Sequence, residues 1–513
     1  MTEYLSPGVY VEEKSSGVKP IEGVGTSTGA FVGIAEKGPI GQANFIANWT
    51  QFVNTYGAFT ANAYLAYTVY QFFSEGGTRC YVVRTCHYTD ITTPSTKTTA
   101  ASTGTMNDDA TPPVASLRFT ATDIGTWGDK ISIEAKAATD TALTGGFQLV
   151  VKFSGNVQES FDNLTMTNVI DKVKSAYVSI EKAGATPNAP KIGSSLTLIG
   201  GNNGDIGSDG KSTLAVADFE GDAKAMNGLH AFDIIDDINI VAIPDSLKIT
   251  STGPRDTIIK GYSYCQNRKD CFFIADPPFG FSPTTIKNYK EAQGDWLGQN
   301  GFNSSFAALY YPWVIISDPL TGGKTPVPPS GAVAGTYAHT DSVRGVHKAP
   351  AGITDGYLDS ASGIERIITK SEHDILNQPG IDVIRSFPSS GIVVWGARTL
   401  SADAEWKYIN IRRLFLFLEK SIDKGTQWVV FEPNSPALWG SVIRNITAFL
   451  LRVWRDGALF GSTPEEAFYV KVDAENNPPE VRDAGQLIIE VGVAPVKPAE
   501  FVIIRIQQKT LSK

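Results

Sequence analysis

Gly29-Ala30-Phe31-Val32-Gly33-Ile34-Ala35 is a short, unbroken run of apolar and small residues. Such a run is typical of a strand that is buried on both faces of a sheet. An apolar helical stretch follows at Ala63-Tyr64-Leu65-Ala66-Tyr67-Thr68-Val69-Tyr70-Gln71-Phe72-Phe73, and a second strand at Cys80-Tyr81-Val82-Val83-Arg84. These three segments predict a β-α-β unit near the start of the chain.

Similar apolar strands return in the second half of the chain. They are Ile238–Pro244, Cys271–Asp276 and Trp313–Ser317, and they alternate with helical stretches. Near-continuous apolar strands between helices indicate an α/β layer with a largely buried sheet. Residues 21–90 and 206–395 are therefore predicted to form one α/β core.

The composition changes sharply from Thr89 onward. Thr92–Thr99 is a polar linker, and three later runs alternate at period two: 116–121, 130–135 and 147–153. Period-two alternation predicts strands with one buried face. We therefore predict an inserted, mostly β domain at about 91–205, with polar outer faces and little core shared with its surroundings. The core resumes after the Gly/Asp-rich loop from Gly200 to Gly210.

Two helices are predicted in the last part of the chain. The first covers about 402–422, with Asp403 and Glu405 near its start, as the helix dipole favours. The second covers about 436–454, and at 100° per residue its apolar residues form one broad side. Arg444, Arg452 and Arg455 lie almost opposite that side. They form either a basic stripe for a partner or salt bridges within the domain.

Both ends of the chain are predicted to be extended. The first twenty residues contain Pro7, Gly8, Gly17 and Pro20 and show no helical periodicity. Residues 499–508 alternate like a strand and follow Pro495 and Pro498. Val502, Ile504 and Ile506 point to one face, and Phe501 and Ile503 to the other. Such a strand either belongs to a sheet of its own chain or is donated to a partner by strand addition.

Length and composition are those of an ordinary globular protein. The chain has 513 residues, 42 % hydrophobic and 19 % charged, which suggests three or four domains. A net charge of −9 argues against a general nucleic-acid binder. The acidic start and the lack of an apolar run near 18 residues predict folding in a cytoplasm. The four cysteines lack the spacing of zinc or redox sites, so we expect buried free thiols.

Motifs that would carry catalysis or ligand binding are incomplete. Gly25-Thr26-Ser27-Thr28-Gly29 matches the serine hydrolase pattern, but a strand follows it where a helix is needed. Gly210-Lys211-Ser212-Thr213 resembles the end of a phosphate-binding loop, but Asp205 replaces the required glycine. His87, His230, His339, His347 and His373 have no spacing that selects a triad or a metal site. We therefore predict no catalytic residue, metal or cofactor.

Several segments resemble the tail sheath proteins of contractile phages and contractile injection systems. The resemblance runs in order over residues 1–90 and about 225–508, and its segments are Ser6–Glu13, Trp395–Leu400, Tyr408–Leu414, Val430–Asn434, Gly457–Gly461, Glu466–Lys471 and Val493–Val502. It implies a multidomain α/β and α+β protein with a subtilisin-like core sheet (21–90 and 206–395), an α+β C-terminal domain (396–513), an outer inserted domain and extended arms (1–20 and about 495–513).

The resemblance also implies a structural role. Sheath subunits polymerise helically around an inner tube and contract to drive it through a target envelope, without a nucleotide or metal. The implied partners are the chain itself, the inner tube, baseplate and terminal cap proteins and sheath paralogues, with no direct nucleic-acid contact and no membrane insertion. Assembly is expected in the host or producer cytoplasm, as part of a phage tail or a released particle. The alternatives are an α/β hydrolase-like enzyme and a non-contractile tube or capsid component.

The implied contacts can be assigned to residues. Inter-subunit strand exchange is predicted for Val9, Tyr10, Val11, Phe501, Val502, Ile503, Ile504 and Ile506. Contact with the inner tube is predicted for Arg444, Arg452 and Arg455. The Pro-, Gly- and Ala-rich block from Pro328 to Ala351 is predicted to be a tight loop at a subunit contact.

Overall fold

The structure is a computed structural model that describes residues 20–61, 63–184, 187–207, 211–250 and 253–504. The chain divides into two compact units. The first, called here the core unit, comprises Thr26–Arg344 and Ala349–Ile409. The second, called the terminal unit, comprises Met1–Gly25, Gly345–Lys348 and Asn410–Lys513. The domain boundaries given by the sequence stay predictions.

The described residues form helices and strands throughout both units. The strands are, in chain order, β1 Gly29–Gly33, β2 Ala43–Ile46, β3 Cys80–Arg84, β4 Thr103–Asn107, β5 Ala115–Ala121, β6 Ile131–Ala137, β7 Phe147–Phe153, β8 Asn156–Leu164, β9 Val178–Lys182, β10 Ser195–Thr197, β11 Ile240–Ala242, β12 Phe272–Ala275, β13 Ala307–Tyr311, β14 Val314–Ser317, β15 Lys324–Val327, β16 Gly363–Ile364, β17 Ile381–Phe387, β18 Gly391–Val394, β19 Phe468–Lys471 and β20 Glu490–Val493. The helices are α1 Trp49–Tyr56, α2 Leu65–Ser74, α3 Val169–Lys172, α4 Val216–Glu220, α5 Gly253–Arg268, α6 Pro283–Glu291, α7 Ser330–Arg344, α8 Lys370–Asn377, α9 Ile409–Thr426, α10 Pro436–Arg455, α11 Pro464–Ala467 and α12 Pro479–Asp483.

The core unit is built on a sheet with the strand order β18-β17-β13-β12-β11-β1-β3-β2. Its six inner strands are parallel, and the edge strands β2 and β18 are antiparallel to their neighbours. The predicted β-α-β start is confirmed as β1, α2 and β3. The prediction that Trp313–Ser317 belongs to this sheet is wrong, because β14 forms a small antiparallel sheet with β15 and β16. The sheet strand is β13 instead, and Pro312, which has no N–H to donate, follows it.

Helices α2 and α7 pack closely within the core unit. A Cβ added to Gly331 would lie 2.5 Å from the carbonyl oxygen of Thr68, and one added to Gly335 would lie 2.6 Å from that of Phe72. The small residues of α7 therefore allow the two backbones to approach. The prediction of a tight loop at Pro328–Ala351 is wrong for residues 330–344, which form this largely buried helix.

The inserted segment folds into two antiparallel sheets, β4-β5-β9 and β10-β6-β7-β8. Its apolar side chains form a hydrophobic core of their own, which includes Leu117, Phe119 and Trp127. It also shares a buried polar contact with the central sheet, which its polar linkers do not predict. Fully buried Arg84, at the end of β3, donates hydrogen bonds to the carbonyl oxygens of Gly38 at 2.8 Å and Ile124 at 2.9 Å, and to Asn203 Oδ1 at 3.2 Å.

The terminal unit is built on α9 and α10. Phe417 of α9 packs against Phe449 of α10, with 5.9 Å between the ring centroids. The prediction that the first helix begins near Ala402 is wrong, because α9 begins at Ile409. In the preceding turn, Ser401 Oγ accepts the backbone N–H of Asp403, and Asp403 Oδ1 accepts that of Glu405. These local side-chain hydrogen bonds compete with helix formation.

Candidate assembly interface

The C-terminal segment from Phe501 to Ile504 is exposed to solvent in the described chain. Phe501, Val502, Ile503 and Ile504 are between 71 and 79 % exposed, and none of the four belongs to a helix or strand. Pro495 and Pro498 precede them. Four consecutive exposed apolar side chains are unusual on a monomer surface, which makes Phe501 to Ile504 a candidate interaction site.

The other residues predicted for strand exchange lie outside the described residues. They are Val9, Tyr10 and Val11 at the start of the chain and Ile506 at its end. The structure thus gives a conformation for one of the two predicted arms, and only as far as Ile504.

Strands β19 and β20 form a two-stranded antiparallel sheet in the terminal unit. Within the residues the structure describes, this sheet has no third strand, although Leu459 forms a bridge to Pro495 just beyond β20. Tyr469 of β19 is exposed, and its hydroxyl donates to Glu490 Oε1 at 2.7 Å. A two-stranded sheet is marginal alone and gains stability when a further strand pairs with it. The sequence does not predict that this sheet accepts a strand, although β19 lies within Glu466–Lys471, one of the segments that resemble tail sheath proteins.

The three arginines of α10 lie on the exposed side of that helix. Its opposite side packs into the core of the terminal unit through Trp439, Val442, Ile446, Phe449, Leu450 and Val453. This confirms the predicted amphipathic pattern of the helix. Among the described residues, no carboxylate lies within ion-pair distance of Arg444, Arg452 or Arg455.

The three arginines differ in what they contact. Arg444 donates a hydrogen bond to Ser441 Oγ at 2.9 Å, one turn earlier on the same helix. Arg452 donates to the backbone carbonyl of Ile21 and so helps to hold the start of the described chain within the terminal unit. All three side chains are exposed, and Arg444 and Arg455 are the two that can be replaced without losing the contact to Ile21.

A buried carboxylate lies at the position where α/β sheets commonly bind ligands. The chain leaves β1 toward β3 on one side and returns to β11 on the other, so the topological switch point lies between β1 and β11. The fully buried carboxylate of Asp245 lies there, just after β11. It accepts the backbone N–H groups of Ile34 at 2.7 Å, Leu65 at 3.2 Å and Tyr64. A Cβ on Gly33 would lie 2.5 Å from Asp245 Oδ2, so glycine lets the carboxylate approach the strand.

The other side chains that could take part in catalysis or bind a metal are dispersed over the described residues. In the described part of the chain, no cluster of three or more His, Cys, Asp or Glu residues could hold a metal ion. His87 contacts Asp218 at 3.0 Å and His230 contacts Asp233 at 2.8 Å, each as a separate pair. The four cysteines are buried and free, as predicted. Across the same residues, every helix is too short or too polar to span a membrane.

Comparison with known proteins identifies the family of the chain. Residues 221–400 match the phage tail sheath protein central domain, and residues 401–509 match the phage tail sheath C-terminal domain. The chain belongs to the phage tail sheath family. The tail sheath protein of Vibrio phage KVP40 is 24 % identical over 386 residues, which are 70 % of this chain and 54 % of that protein. The chain therefore spans about half the length of this sheath relative.

Solved structures share the fold over nearly the whole chain. The contracted sheath complex of the extracellular contractile injection system PVC has a TM-score of 0.59 and 22 % identity, over 99 % of both chains. A chain of the anti-feeding prophage baseplate has a TM-score of 0.55 and 23 % identity, over 99 % of this chain and 100 % of that one. The mixed α/β fold with several sheets is thus a sheath-protein fold.

Proposed function

We propose that this chain is the structural subunit of the contractile sheath of a phage tail or a tail-like injection particle. It polymerises helically around an inner tube and contracts to drive the tube through a target envelope. The observation that carries this proposal is the exposed apolar segment from Phe501 to Ile504. It lies in a chain whose C-terminal half matches both tail sheath domains. The proposed fold of the core is the subtilisin-like one, supported by six parallel strands with α2 and α7 packed on each other.

Strand donation explains how subunits stay joined during contraction. Residues 501–504 carry apolar side chains on both faces, and the prolines before them supply a joint without competing N–H groups. Paired with a neighbour's sheet, the strand keeps its hydrogen bonds while the joint changes direction. We assign β19–β20 of a neighbouring copy as the acceptor, since that sheet has only two strands in the described chain.

The proposed partners are further copies of the chain, the inner tube, baseplate and cap proteins and sheath paralogues. Assembly in the host or producer cytoplasm and release in a particle follow from this role. No catalytic step is assigned to the chain. At the switch point of the sheet, the carboxylate of Asp245 accepts backbone N–H groups, and we assign it a structural role.

Negative-stain microscopy of the purified full chain tests the function. We expect hollow cylinders of variable length, and in native particles two states in which the shorter cylinder is the wider one. Cylinders with a single diameter in all particles would support the tube or capsid alternative instead. Monodisperse globular particles with hydrolytic turnover would support the enzyme.

The basic stripe of α10 is proposed to guide assembly on the tube. Replacing Arg444 and Arg455 with Glu should reduce extended, tube-filled particles by at least about tenfold, more at low salt, because exposed charge contacts are individually weak and screened. Contracted, tube-free sheaths should still form. Counting both particle types by microscopy checks this.

The matched control replaces the same two arginines with Lys, which keeps the charge and should assemble normally. Arg452 is left unchanged because it contacts Ile21 within the terminal unit. Normal extended particles from the Glu variant would exclude the stripe as the tube contact.

A further inference from the structure

Two cysteines meet where α5 turns into β12. The Sγ atoms of Cys265 and Cys271 are 3.4 Å apart, and both side chains are completely buried. Both are free thiols in this structure. The pair lies in the core unit, and the proposed sheath function gives it no role.

The turn between them fixes their proximity. Helix α5 ends at Arg268, and Lys269 adopts a left-handed conformation with φ 61°, so the chain reverses direction at once. The N–H of Lys269 bonds to the carbonyl oxygen of Cys265 at 2.8 Å. Arg268 pairs with Asp270 at 2.6 Å and donates to the carbonyl of Phe232 at 2.5 Å. The thiols are therefore held in contact by several independent hydrogen bonds.

The other two cysteines provide an internal comparison. Cys80 and Cys86 have the same separation along the chain and are also completely buried. Strand β3 carries the chain away from Cys80 at about 3.3 Å per residue, so Arg84 lies roughly 13 Å from it. The N–H of Thr85 still bonds to the carbonyl oxygen of Gly33 at 2.8 Å, so the chain continues along β1 beyond Arg84 and does not turn back toward Cys80. Spacing and burial are thus matched between the pairs, and only the second pair is in contact.

We propose that Cys265 and Cys271 are a dithiol site that a small hydroperoxide converts into an intramolecular disulfide. The disulfide covalently links the end of α5 to the start of β12. One sulfur attacks the peroxide, the O–O bond breaks, and a sulfenic acid and water form. The second thiol then attacks the sulfenic sulfur, so that the S–S bond forms, the S–O bond breaks and a second water leaves. Two thiols are oxidised, one hydrogen peroxide is reduced, and the thiol protons leave in the two waters.

A groove brings solvent close to the pair. Its volume is about 720 Å³, and its lining includes Tyr264, Arg268 and Asp270, which are chain neighbours of the two cysteines or of the turn that joins them. Hydrogen peroxide is small enough to pass from such a groove during local opening. Burial raises the pKa of the Cys265 thiol, which keeps the thiolate scarce and the reaction slow. A slow reaction suits a pair that stays reduced in a cytoplasm and closes on long exposure to oxidant.

The test counts free thiols in the full chain. Purified protein is incubated with hydrogen peroxide, quenched with catalase, denatured and labelled with N-ethylmaleimide. The untreated chain should take four labels, one for each cysteine. The treated chain should take two, lose about 2 Da before labelling, and give a linked 265–271 peptide that dithiothreitol separates. Four labels after treatment, or a disulfide that maps to other cysteines or between chains, would overturn the proposal.

Two variants separate this site from general oxidation. Cys265→Ala should give no linked 265–271 peptide after treatment and should not lose two labels, whereas the matched Cys80→Ala should lose two of its three labels and give the linked peptide. The unmodified chain also provides a readout that does not depend on variants. Its melting temperature should rise by about 2–3 °C on oxidation and return on reduction; a fall on oxidation would contradict a stabilising link.

Discussion

Deletion of residues 499–513 should give a folded chain that no longer polymerises. The deletion removes four exposed apolar side chains, Phe501 to Ile504, which make no strand in the described chain. Burying such side chains in a neighbour contributes about 1.5–3 kcal/mol each, or roughly 6–12 kcal/mol for one donated strand. The concentration needed for assembly should therefore rise at least about a thousandfold. Sedimentation velocity and microscopy measure the loss of polymer, and circular dichroism measures the retained fold.

A shorter deletion is the matched control. Removing only residues 509–513 keeps the whole alternating run and should leave assembly intact. Wild-type-like sheaths from the longer deletion would show that the strand is not the joint. A structure of the assembled protein in which 501–506 pairs only within its own chain would lead to the same conclusion.

Replacing Asp245 with Ala should destabilise the core unit strongly. The carboxylate accepts two buried N–H groups, from Ile34 and Leu65, and the partly buried N–H of Tyr64, and these would be left without an acceptor. Each unsatisfied buried donor costs about 1–3 kcal/mol, so the two buried donors alone predict a loss of about 2–6 kcal/mol in the free energy of unfolding. Hydrogen exchange should show lost protection at the start of α2. The exposed Asp295→Asn provides a control, and unchanged protection in the Asp245→Ala chain would contradict the anchoring role.

The raised pKa of Asp245 predicts that the stability of the folded chain depends on pH. Burial raises the pKa of Asp245 to about 6, against 3.8 for an unperturbed carboxyl. The folded chain therefore binds this proton more tightly than the unfolded chain does, and stability falls as pH rises from about 4 to about 6. A shift of this size corresponds to roughly 3 kcal/mol across that window. Asp245→Asn should remove this component, which the difference between the two chains' unfolding curves measures. Parallel curves for the two chains would contradict the prediction.

Local patterns in the sequence predict some elements well and others poorly, for physical reasons. Strands β1 and β3 and helix α2 follow from unbroken apolar runs, and α10 follows from an apolar side that is buried as expected. The start of α9 does not follow, because Ser401 and Asp403 bond to nearby N–H groups and hold a turn where the dipole pattern favours a helix. Helical periodicity and charge placement do not reveal these local side-chain hydrogen bonds, which compete with the helix.

Contacts between residues that lie far apart in the chain cannot be predicted from local sequence patterns. The glycines of α7 suggested a loop, whereas they allow close contact with α2, which lies far away in the chain. The Asp245 site depends on three N–H groups from two other segments, and no spacing in the sequence connects them. For the assembly surface, the sequence predicts the apolar run at 501–504 but not β19–β20, whose significance comes from its having only two strands.

The buried Arg84 has a consequence for how sheath subunits diversify. Its acceptors on the insert, the carbonyl of Ile124 and the side chain of Asn203, come from two loops far apart in the insert sequence. Strands β6, β7 and β8 contribute no acceptor to it. We therefore expect the far part of the insert to tolerate replacement, and the two loops that contact Arg84 to be retained together with β3. Comparing inserts among relatives should show drift in sequence and length to be greatest away from these loops.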